Sequence, residues 1–205
     1  MKGYLIFAIS FLSLLLVFFI VLLILHLRSR LSPEKKAGNR GERIARDQIR
    51  EVLRDGDKLF SNVPISYDGK NTELDNVIVN CRGVFIIEVK TLSGRLVGSE
   101  DDAEWKKYHV SAAGVTYEKS VKNPIKQVKR QVYILSKYLT GKGARVWVTG
   151  YVYLLLDNGD IKSDYILKSV GDLDRAIHPR KGRKTDKKTA DAAEYFLKNL
   201  KAVPR

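Results

Sequence analysis

The chain of 205 residues contains a single cysteine, Cys81, and only three histidines, His26, His109 and His178. One cysteine excludes an intrachain disulfide, and a protein of a reducing compartment requires none. The histidines are scattered, so the chain has no cysteine–histidine zinc pattern. Because no histidine shares a motif with Cys81, a thiol nucleophile is not indicated, and Cys81 is interpreted as a turn or core residue.

Two other common patterns are missing, and acidic residues are scarce relative to basic ones. The segment Gly141-Lys142-Gly143 lacks the spacing of a Walker-type phosphate loop, and no internal repeat is present. The formal net charge is +14, of which the segment up to Arg30, without acids, accounts for three positive charges and the remainder for +11. Such an excess suits a polyanionic partner, either nucleic acid or an anionic membrane surface.

One long apolar run stands at the start of the chain. It extends from Tyr4 to Leu25 and is interrupted only by Ser10 and Ser13, which is long enough to cross a hydrocarbon core of ~30 Å. The alternative is a cleavable signal peptide, whose apolar stretch is usually shorter, roughly 7–15 residues. Since the run ends in a basic segment without a small-residue cleavage site, an uncleaved transmembrane anchor over residues 1–30 is predicted.

The basic residues that flank this run predict its orientation. Lys2 stands alone before it, whereas five basic residues follow it between positions 28 and 40. The positive-inside tendency then places the remainder in the cytoplasm, which predicts a single-pass cell-membrane protein. The expected organisation is an anchor (1–30), a linker (31–39), a main domain (40–157) and a C-terminal basic connector and helix (158–205).

The segment from Thr72 to Lys90 is the most informative part of the chain. It reads as two apolar, β-branched runs joined by a Gly-containing turn, which is typical of a hairpin. If the turn pairs Val79 with Val84, Asp75 faces Glu88, and two opposed carboxylates destabilise a sheet. A divalent cation removes that repulsion, because hard cations bind carboxylate oxygens.

Two alternatives to a metal site remain open for this hairpin. A longer loop with Gly83 in a bulge shifts the pairing by one residue and separates Asp75 from Glu88. Glu88 and Lys90 are also compatible with an exposed edge that guards against aggregation. The apolar run around Glu88 favours instead a strand that is covered on both faces, where acids are seldom buried without a partner.

Two predicted helices flank the hairpin in sequence. The first, about 41–54, has an apolar stripe, and Glu42 lies on that stripe, either as a first-turn acid that favours the helix dipole or directed at the metal site. The second begins at Asn123-Pro124, with Asn as cap and Pro in the first turn. Gln127 and Gln131 lie one turn apart beside its apolar stripe, so one of them is expected to reach the site.

The second helix also has a basic flank, formed by Lys126, Lys129, Arg130 and Lys137. These residues either line a groove for phosphates or form a solvated face. The remaining predicted elements are strands or hairpins near 59–66, 91–97, 105–117 and 145–157, a mixed segment at 166–177, and a last helix over about 186–200. That helix is expected to be capped by Thr185 and to cover the sheet.

Five short motifs in this order resemble the nuclease-related domain, often abbreviated NERD. They are Gly41-Glu42 at a helix start, Glu73-Leu74-Asp75, the run from Gly83 to Lys90 followed by Gly94, Trp105, and Asn123-Pro124-Ile125-Lys126-Gln127-Val128. The resemblance covers roughly Gly38 to Asp157. It implies the PD-(D/E)XK nuclease superfamily and therefore a restriction-endonuclease-like α/β fold, a mixed sheet flanked by helices, here preceded by the transmembrane helix.

The resemblance also implies a role for each matching residue. Asp75 and Glu88 become metal ligands, and Lys90 positions or activates the attacking water or stabilises the pentacovalent phosphorus. Glu42 becomes an additional carboxylate and Gln127 an accessory polar residue. The superfamily's proline before the first aspartate is replaced by Leu74, a departure that the domain family often shares.

The expected function is that of a membrane-anchored nuclease that hydrolyses nucleic acid, with DNA as the expected polymer. Mg²⁺ is the expected cofactor because the ligands are all oxygen, and Mn²⁺ is expected to substitute. Lys126, Lys129 and Arg130 are the expected nucleic-acid contacts. One alternative is a catalytically inactive, membrane-tethered nucleic-acid-binding or scaffold module. Another is a basic membrane-surface protein that has no nucleic-acid affinity and does not depend on divalent cations.

Overall fold

The computed structural model describes residues 2–29, 33–92, 94–111, 114–156, 161–181 and 184–201. The chain divides into two compact units, Met1–Asn39 and Arg40–Arg205. The strands, in chain order, are β1 (Lys58–Tyr67), β2 (Lys70–Asn80), β3 (Gly83–Lys90), β4 (Arg95–Val97), β5 (Glu104–Val110), β6 (Thr116–Lys122), β7 (Val148–Leu154) and β8 (Ile166–Leu167). The helices are α1 (Lys2–Ser29), α2 (Pro33–Val52), α3 (Pro124–Gly141), α4 (Val170–Ile177) and α5 (Lys187–Lys201).

The first unit contains α1, where the sequence predicts a transmembrane anchor. That prediction is wrong, because among the described residues no helix has both the length and the apolarity that crossing a membrane requires. The fold class is corrected accordingly to mixed α/β, and the predicted membrane partner is not supported.

The second unit is built on a mixed sheet of five strands in the order β1-β2-β3-β7-β8. β1, β2 and β3 are antiparallel neighbours, whereas β3, β7 and β8 are parallel. Asp68 and Gly69 form the tight turn between β1 and β2 with φ angles of 51° and 70°, a left-handed conformation that Asp and Gly tolerate in two-residue hairpins. The predicted mixed sheet flanked by helices is confirmed for this unit.

Helices cover both faces of the sheet because its central strands are apolar on both sides. Val77, Val84 and Ile86 lie in a core cluster with α3 and α5. Their alternate neighbours on the strands, such as Ile78 and Phe85, lie in a second cluster with α2 and α4. Alternation of side chains along a strand accounts for this division. As predicted, the last helix packs on the sheet, where it contacts β1 and β2.

Strands β4, β5 and β6 form a separate three-stranded antiparallel sheet, inserted between β3 and α3. The sheet is attached to the core through Leu96 and Trp105, which are 1% and 0% exposed. The hairpin of β5 and β6 confirms the hairpin predicted near 105–117.

Three local predictions are corrected by the structure. Helix α2 begins at Pro33, so residues 33–39 of the predicted linker are helical, which is consistent with the preference of Pro for the first helical turn. The side chain of Asp186, not of Thr185, accepts the hydrogen bond from the backbone N–H of Thr189 at the start of α5. The mixed segment after residue 166 contributes a short strand, β8, which was too short to show a period in sequence.

Candidate active site

The register of the central hairpin confirms the shorter of the two predicted turns. Val79 pairs with Val84, Val77 with Ile86, and Asn80 with Gly83 across a two-residue turn. The last pair in this ladder is Asn76 with Ile87, so the next two residues, Asp75 and Glu88, stand at the end where the strands stop pairing. The hairpin therefore brings the two acids to the same end of β2 and β3.

Asp75 lies at a break in the sheet on both sides. On the β3 side, its Oδ2 accepts a hydrogen bond of 2.8 Å from the backbone N–H of Val89, in place of a backbone carbonyl. On the β1 side, Asn62 lies opposite Asp75, but these two residues do not pair although their neighbours on both sides do. Asn62 has a left-handed φ of 54°. A left-handed residue within a strand interrupts pairing and redirects neighbouring side chains, as in a bulge.

The break also changes which face each residue of β2 occupies. Leu74 belongs to the same core cluster as Val77 and Val79, although strict alternation would place Leu74 on the opposite face. Asp75 lies at this change of face, and its side chain is directed at the end of β3. Asn62 itself is the one local signal of this break, since asparagine is one of the few residues that tolerate the left-handed region.

Glu88 is buried, with 2% exposure, and is satisfied by three donors. Lys90 Nζ and Gln127 Nε2 donate to Oε1 over 2.7 and 2.6 Å, and Gln131 Nε2 donates to Oε2 over 2.7 Å. Burial of a carboxylate costs free energy unless it is paired and hydrogen-bonded. The three donors therefore satisfy the Glu88 side chain in the interior, beside Asp75.

Both glutamines reach the site because α3 is fixed close to the sheet. The Asn123 side chain caps the helix by accepting the backbone N–H of Ile125 over 2.9 Å. On β7, a methyl group added at Gly150 would lie 2.6 Å from Val132 Cγ2 and 2.7 Å from Val128 Cγ2. Only glycine permits this approach of helix and strand. Because Gln127 and Gln131 are four residues apart, they project from one face of α3, and the close approach of the helix brings both to Glu88.

Gln131 is the functional candidate that sequence reasoning left undecided. It is fully buried, and its Nε2 also donates to the backbone carbonyl of Glu73 over 3.2 Å. Within the described part of the chain its Oε1 is buried without a hydrogen-bond partner. If the amide nitrogen and oxygen of Gln131 were exchanged, the oxygen would face the Glu88 carboxylate and be repelled by it. The orientation with Nε2 towards Glu88 is therefore favoured by charge. An orphaned acceptor thus lies beside the buried acid.

Glu42 approaches the site from the middle of α2 (Pro33–Val52), so the interpretation of Glu42 as a first-turn acid is wrong. The preceding Gly41 is buried, and a methyl group there would lie 1.8 Å from Thr91 Oγ1 and 3.0 Å from Leu155 Cδ1. Glycine therefore lets the helix come close to the ends of β3 and β7, where Lys90 lies. Glu42 acts on Asp75 through its charge and raises the pKa of that carboxyl.

The pKa of Asp75 is raised from 3.8 to about 7. The largest cause is burial, followed by the negative charge of Glu88, and Glu42 adds a smaller contribution. The N–H of Val89 and the charge of Lys90 lower the pKa, but they do not offset the first two causes. Carboxyl groups with strongly perturbed pKa values are typical of functional sites.

The donor set at this site fits a hard divalent cation. The described residues contain no group of three or more His, Cys, Asp and Glu side chains placed to hold a metal ion, so the candidate ligands are the predicted pair, Asp75 and Glu88. The unpartnered Oε1 of Gln131 adds a third oxygen, for direct contact or through a water molecule. Oxygen donors of this kind are those that Mg²⁺ prefers, and it keeps several water ligands.

The three basic residues predicted to contact nucleic acid lie on the exposed side of α3. Lys129 Nζ is 3.4 Å from Glu100 Oε2 and 4.5 Å from the centre of the Tyr165 ring. Arg130 donates to the backbone carbonyl of Asn71 over 3.5 Å, and Lys126 is exposed next to Gln127. All three are accessible from solvent, and their contact with nucleic acid stays a prediction.

Comparison with known families identifies the domain. Residues 37–155 match the model of the nuclease-related domain family, and these residues form more than half of the chain. The chain therefore belongs to that family, consistent with the PD-(D/E)XK nuclease superfamily. No curated protein and no solved structure shows a significant match to the chain.

Proposed function

We propose that this member of the nuclease-related domain family hydrolyses phosphodiester bonds of nucleic acid, with DNA as the substrate and Mg²⁺ as the cofactor. The observation that carries the proposal is the pair of neighbouring acids, the buried Glu88 and the half-buried Asp75, whose pKa is raised to about 7 by burial and by the charge of Glu88. A fold gains no stability from such a pair. The arrangement is explained if a cation offsets the repulsion.

Asp75 and Glu88 would hold the ion, and Mn²⁺ would substitute for Mg²⁺. When bound, the ion supplies a nucleophilic water at neutral pH and neutralises charge that develops on the phosphate oxygens. Glu42 adds negative charge at the same end of the sheet. Gln127 and Gln131 keep the Glu88 carboxylate in one orientation through their amide hydrogens.

Lys90 supplies the positive charge of the site. Its side chain is 27% exposed, whereas its Nζ lies 2.7 Å from the buried Glu88 Oε1. The ammonium group therefore stands at the boundary between the buried acid and solvent, where a phosphate would arrive. From there it can donate a hydrogen bond to a water molecule or to a phosphate oxygen as charge accumulates in the transition state.

The test is metal-dependent cleavage of plasmid and single-stranded DNA by the wild-type chain and two variants, Asp75→Ala and Lys90→Ala. Cleavage that requires Mg²⁺ or Mn²⁺ and disappears in both variants supports the proposal. Asp101→Asn, an exposed acid in the loop before β5, is the matched control and is expected to cleave like the wild type. Equal inactivity of all four proteins, with DNA binding of the same salt dependence, would favour a nucleic-acid-binding module without catalysis.

A further inference from the structure

The two faces of the β5–β6 hairpin differ in charge. On the face that carries Trp105, the cross-strand pairs are Trp105 with Val121, Lys107 with Lys119, and His109 with Tyr117. The only charged side chains on this face are two lysines. On the opposite face two acids, Glu104 and Glu118, balance two lysines, Lys106 and Lys122. Lys106 Nζ and Glu118 Oε1 form an ion pair of 3.0 Å there.

Along the Trp105 face, the side chains change from buried and apolar at the base of the hairpin to exposed near its tip. Its base is buried, since Trp105 and the neighbouring Leu96 are 0% and 1% exposed. The next pair joins two lysines, and the following pair joins the exposed His109 to Tyr117, whose side chain is 57% exposed. Two basic side chains therefore lie between the buried base and the exposed aromatic pair.

The hairpin is held in a defined position relative to the proposed active site. Asn123 Nδ2 donates to the backbone carbonyls of Ser99, Glu100 and Asp102, in the loop that leads into β5. The N–H of Asn123 also donates to Ala103 O over 3.2 Å. The same residue caps α3, whose next turn carries Gln127 and thereby contacts Glu88. A short series of hydrogen bonds thus links the base of the hairpin to the buried acid.

We infer that the Trp105 face of the hairpin binds the single-stranded part of the nucleic-acid substrate, with Lys107 and Lys119 on phosphates and with Tyr117 and His109 stacked on unpaired bases. This inference rests on the proposed function, because it assigns the substrate of that site. Basic side chains alternating with exposed aromatic rings are the features by which proteins bind single strands. In a duplex the base faces are stacked on one another and are not accessible to Tyr117.

The test measures binding separately from cleavage, in the full chain carrying Asp75→Asn so that the nucleic acid stays intact. Fluorescence anisotropy with a labelled single strand of about 20 nucleotides, longer than the ~4–16-nucleotide sites of single modules, gives Kd as a function of salt. The double variant Lys107→Gln/Lys119→Gln is compared with Lys106→Gln/Lys122→Gln. The second variant makes the same chemical change on the opposite face.

The Lys107/Lys119 variant is expected to weaken binding about tenfold near 0.1 M salt. Loss of two phosphate contacts should also reduce the slope of log K against log salt by about 1.4, at ~0.7 per contact for single strands. The control pair should change Kd less than twofold. If both pairs weaken binding equally, only the net charge matters and the inference fails.

Aromatic stacking is tested with Tyr117→Ala, which should weaken single-strand binding about tenfold and leave the duplex Kd unchanged. Tyr195→Ala, at an exposed tyrosine on α5, is the matched control. Equal weakening for duplex and single strand would overturn the assignment to single strands. If the chain without Asp75→Asn cleaves DNA with Mg²⁺ but the hairpin variants bind like the control, only this inference fails. An inert chain refutes the proposed function instead.

Discussion

Two polar clusters lie at opposite ends of the β2–β3 hairpin, and they differ in whether their charges attract or repel. At the turn end, His178 Nδ1 is 2.7 Å from Asp174 Oδ1, and its Nε2 is 2.8 Å from Asp57 Oδ2. Arg54 adds an ion pair of 2.8 Å to Asp174. This turn-end cluster is also tied to the hairpin, since Asn80 Nδ2 donates to Ile177 O over 3.0 Å.

The acid cluster, formed by Asp75, Glu88 and Glu42, has the opposite character. Hydrogen bonding from His178 and the charge of Arg54 lower the pKa of Asp174 in the turn-end cluster. Burial and two neighbouring acids instead raise the pKa of Asp75. Satisfied charge networks stabilise a fold, whereas unsatisfied ones are retained at functional sites at the expense of stability. The contrast is consistent with a structural role at the turn end of the hairpin and with the proposed chemistry at the other end.

The largest expected effect follows from removing charge at the acid cluster. Asp75→Asn and Glu88→Gln should each lower the rate of metal-dependent DNA cleavage by about 10³-fold or more, because each removes a proposed ligand. Without metal, Asp75→Asn should raise the Tm, by ~2–4 °C for each ~1 kcal/mol of relieved repulsion. Cleavage rates and thermal melts of the metal-free proteins check both. If either variant lost stability as well as activity, the acid cluster would not differ from the turn-end cluster in its effect on stability.

The turn-end cluster should respond in the opposite way. The side chains of His178 and Asp57 are each 7% exposed, so His178→Ala removes the side-chain partner of a buried carboxylate to which the backbone N–H of Arg54 still donates, at a cost of about 2 kcal/mol. Urea denaturation measures this loss, and cleavage per folded molecule should stay unchanged. His109→Ala, at an exposed histidine, is the control and should change stability by less than ~0.5 kcal/mol. A change in the metal requirement of the His178 variant would count against a purely structural cluster.

The acid cluster should make stability and metal affinity change with pH in opposite directions. Because the pKa of Asp75 is about 7 in the fold and 3.8 as its ordinary value, the folded state binds more protons between these pH values. Its contribution to stability without metal is therefore fully present below pH 3.8 and is lost as the pH rises through about 7. Metal affinity should change in the other direction, rising about tenfold per pH unit up to pH 7, since binding releases one proton.

Thermal melts in a chelator and titration with Mn²⁺, both as a function of pH, measure these two slopes. Asp75→Asn is the control, and it should remove the loss of stability with rising pH near neutrality. A wild-type protein whose metal affinity does not change between pH 5 and about 7 would show that Asp75 is not a ligand.

The smallest expected effect is at the rim of the turn-end cluster. Arg175 is ion-paired with Asp172, but its side chain is 74% exposed, and exposed pairs contribute ~0–1 kcal/mol. Arg175→Ala should therefore lower the free energy of unfolding by only a few tenths of a kcal/mol, and less still at high salt. A loss as large as that of His178→Ala would show that the cluster depends on its surface charges and not on the buried histidine.

Much of the fold was predictable from local patterns. The hairpin from Thr72 to Lys90 has two unbroken, β-branched apolar runs around a Gly-containing turn, and Asn123-Pro124 is a strong helix start. The end of α3 at Gly141 to Gly143 follows from glycine at a helix terminus. By contrast, β8 is two residues long and pairs with β7 only in the folded sheet, so no local pattern predicts it.

The candidate site was predictable in its residue types but not in its connections. Asp75, Glu88 and Lys90 follow from the spacing of the hairpin, whereas the choice between Gln127 and Gln131 depended on the distance of α3 from the sheet. Val128, Val132 and Gly150 set that distance, and both glutamines reach Glu88 as a result.

The sequence by itself determined the hairpin and the excess of positive charge, because these depend on residue types and on residues close together in the chain, whereas the register was decided by the fold. Only the tertiary structure decided that Asp75 lies at a break between β1 and β3, that Glu88 is buried under α3, and that His178 bridges two acids at the other end. Burial and the proximity of charges from distant segments set the pKa of a carboxyl. A linear pattern of residues specifies neither of them.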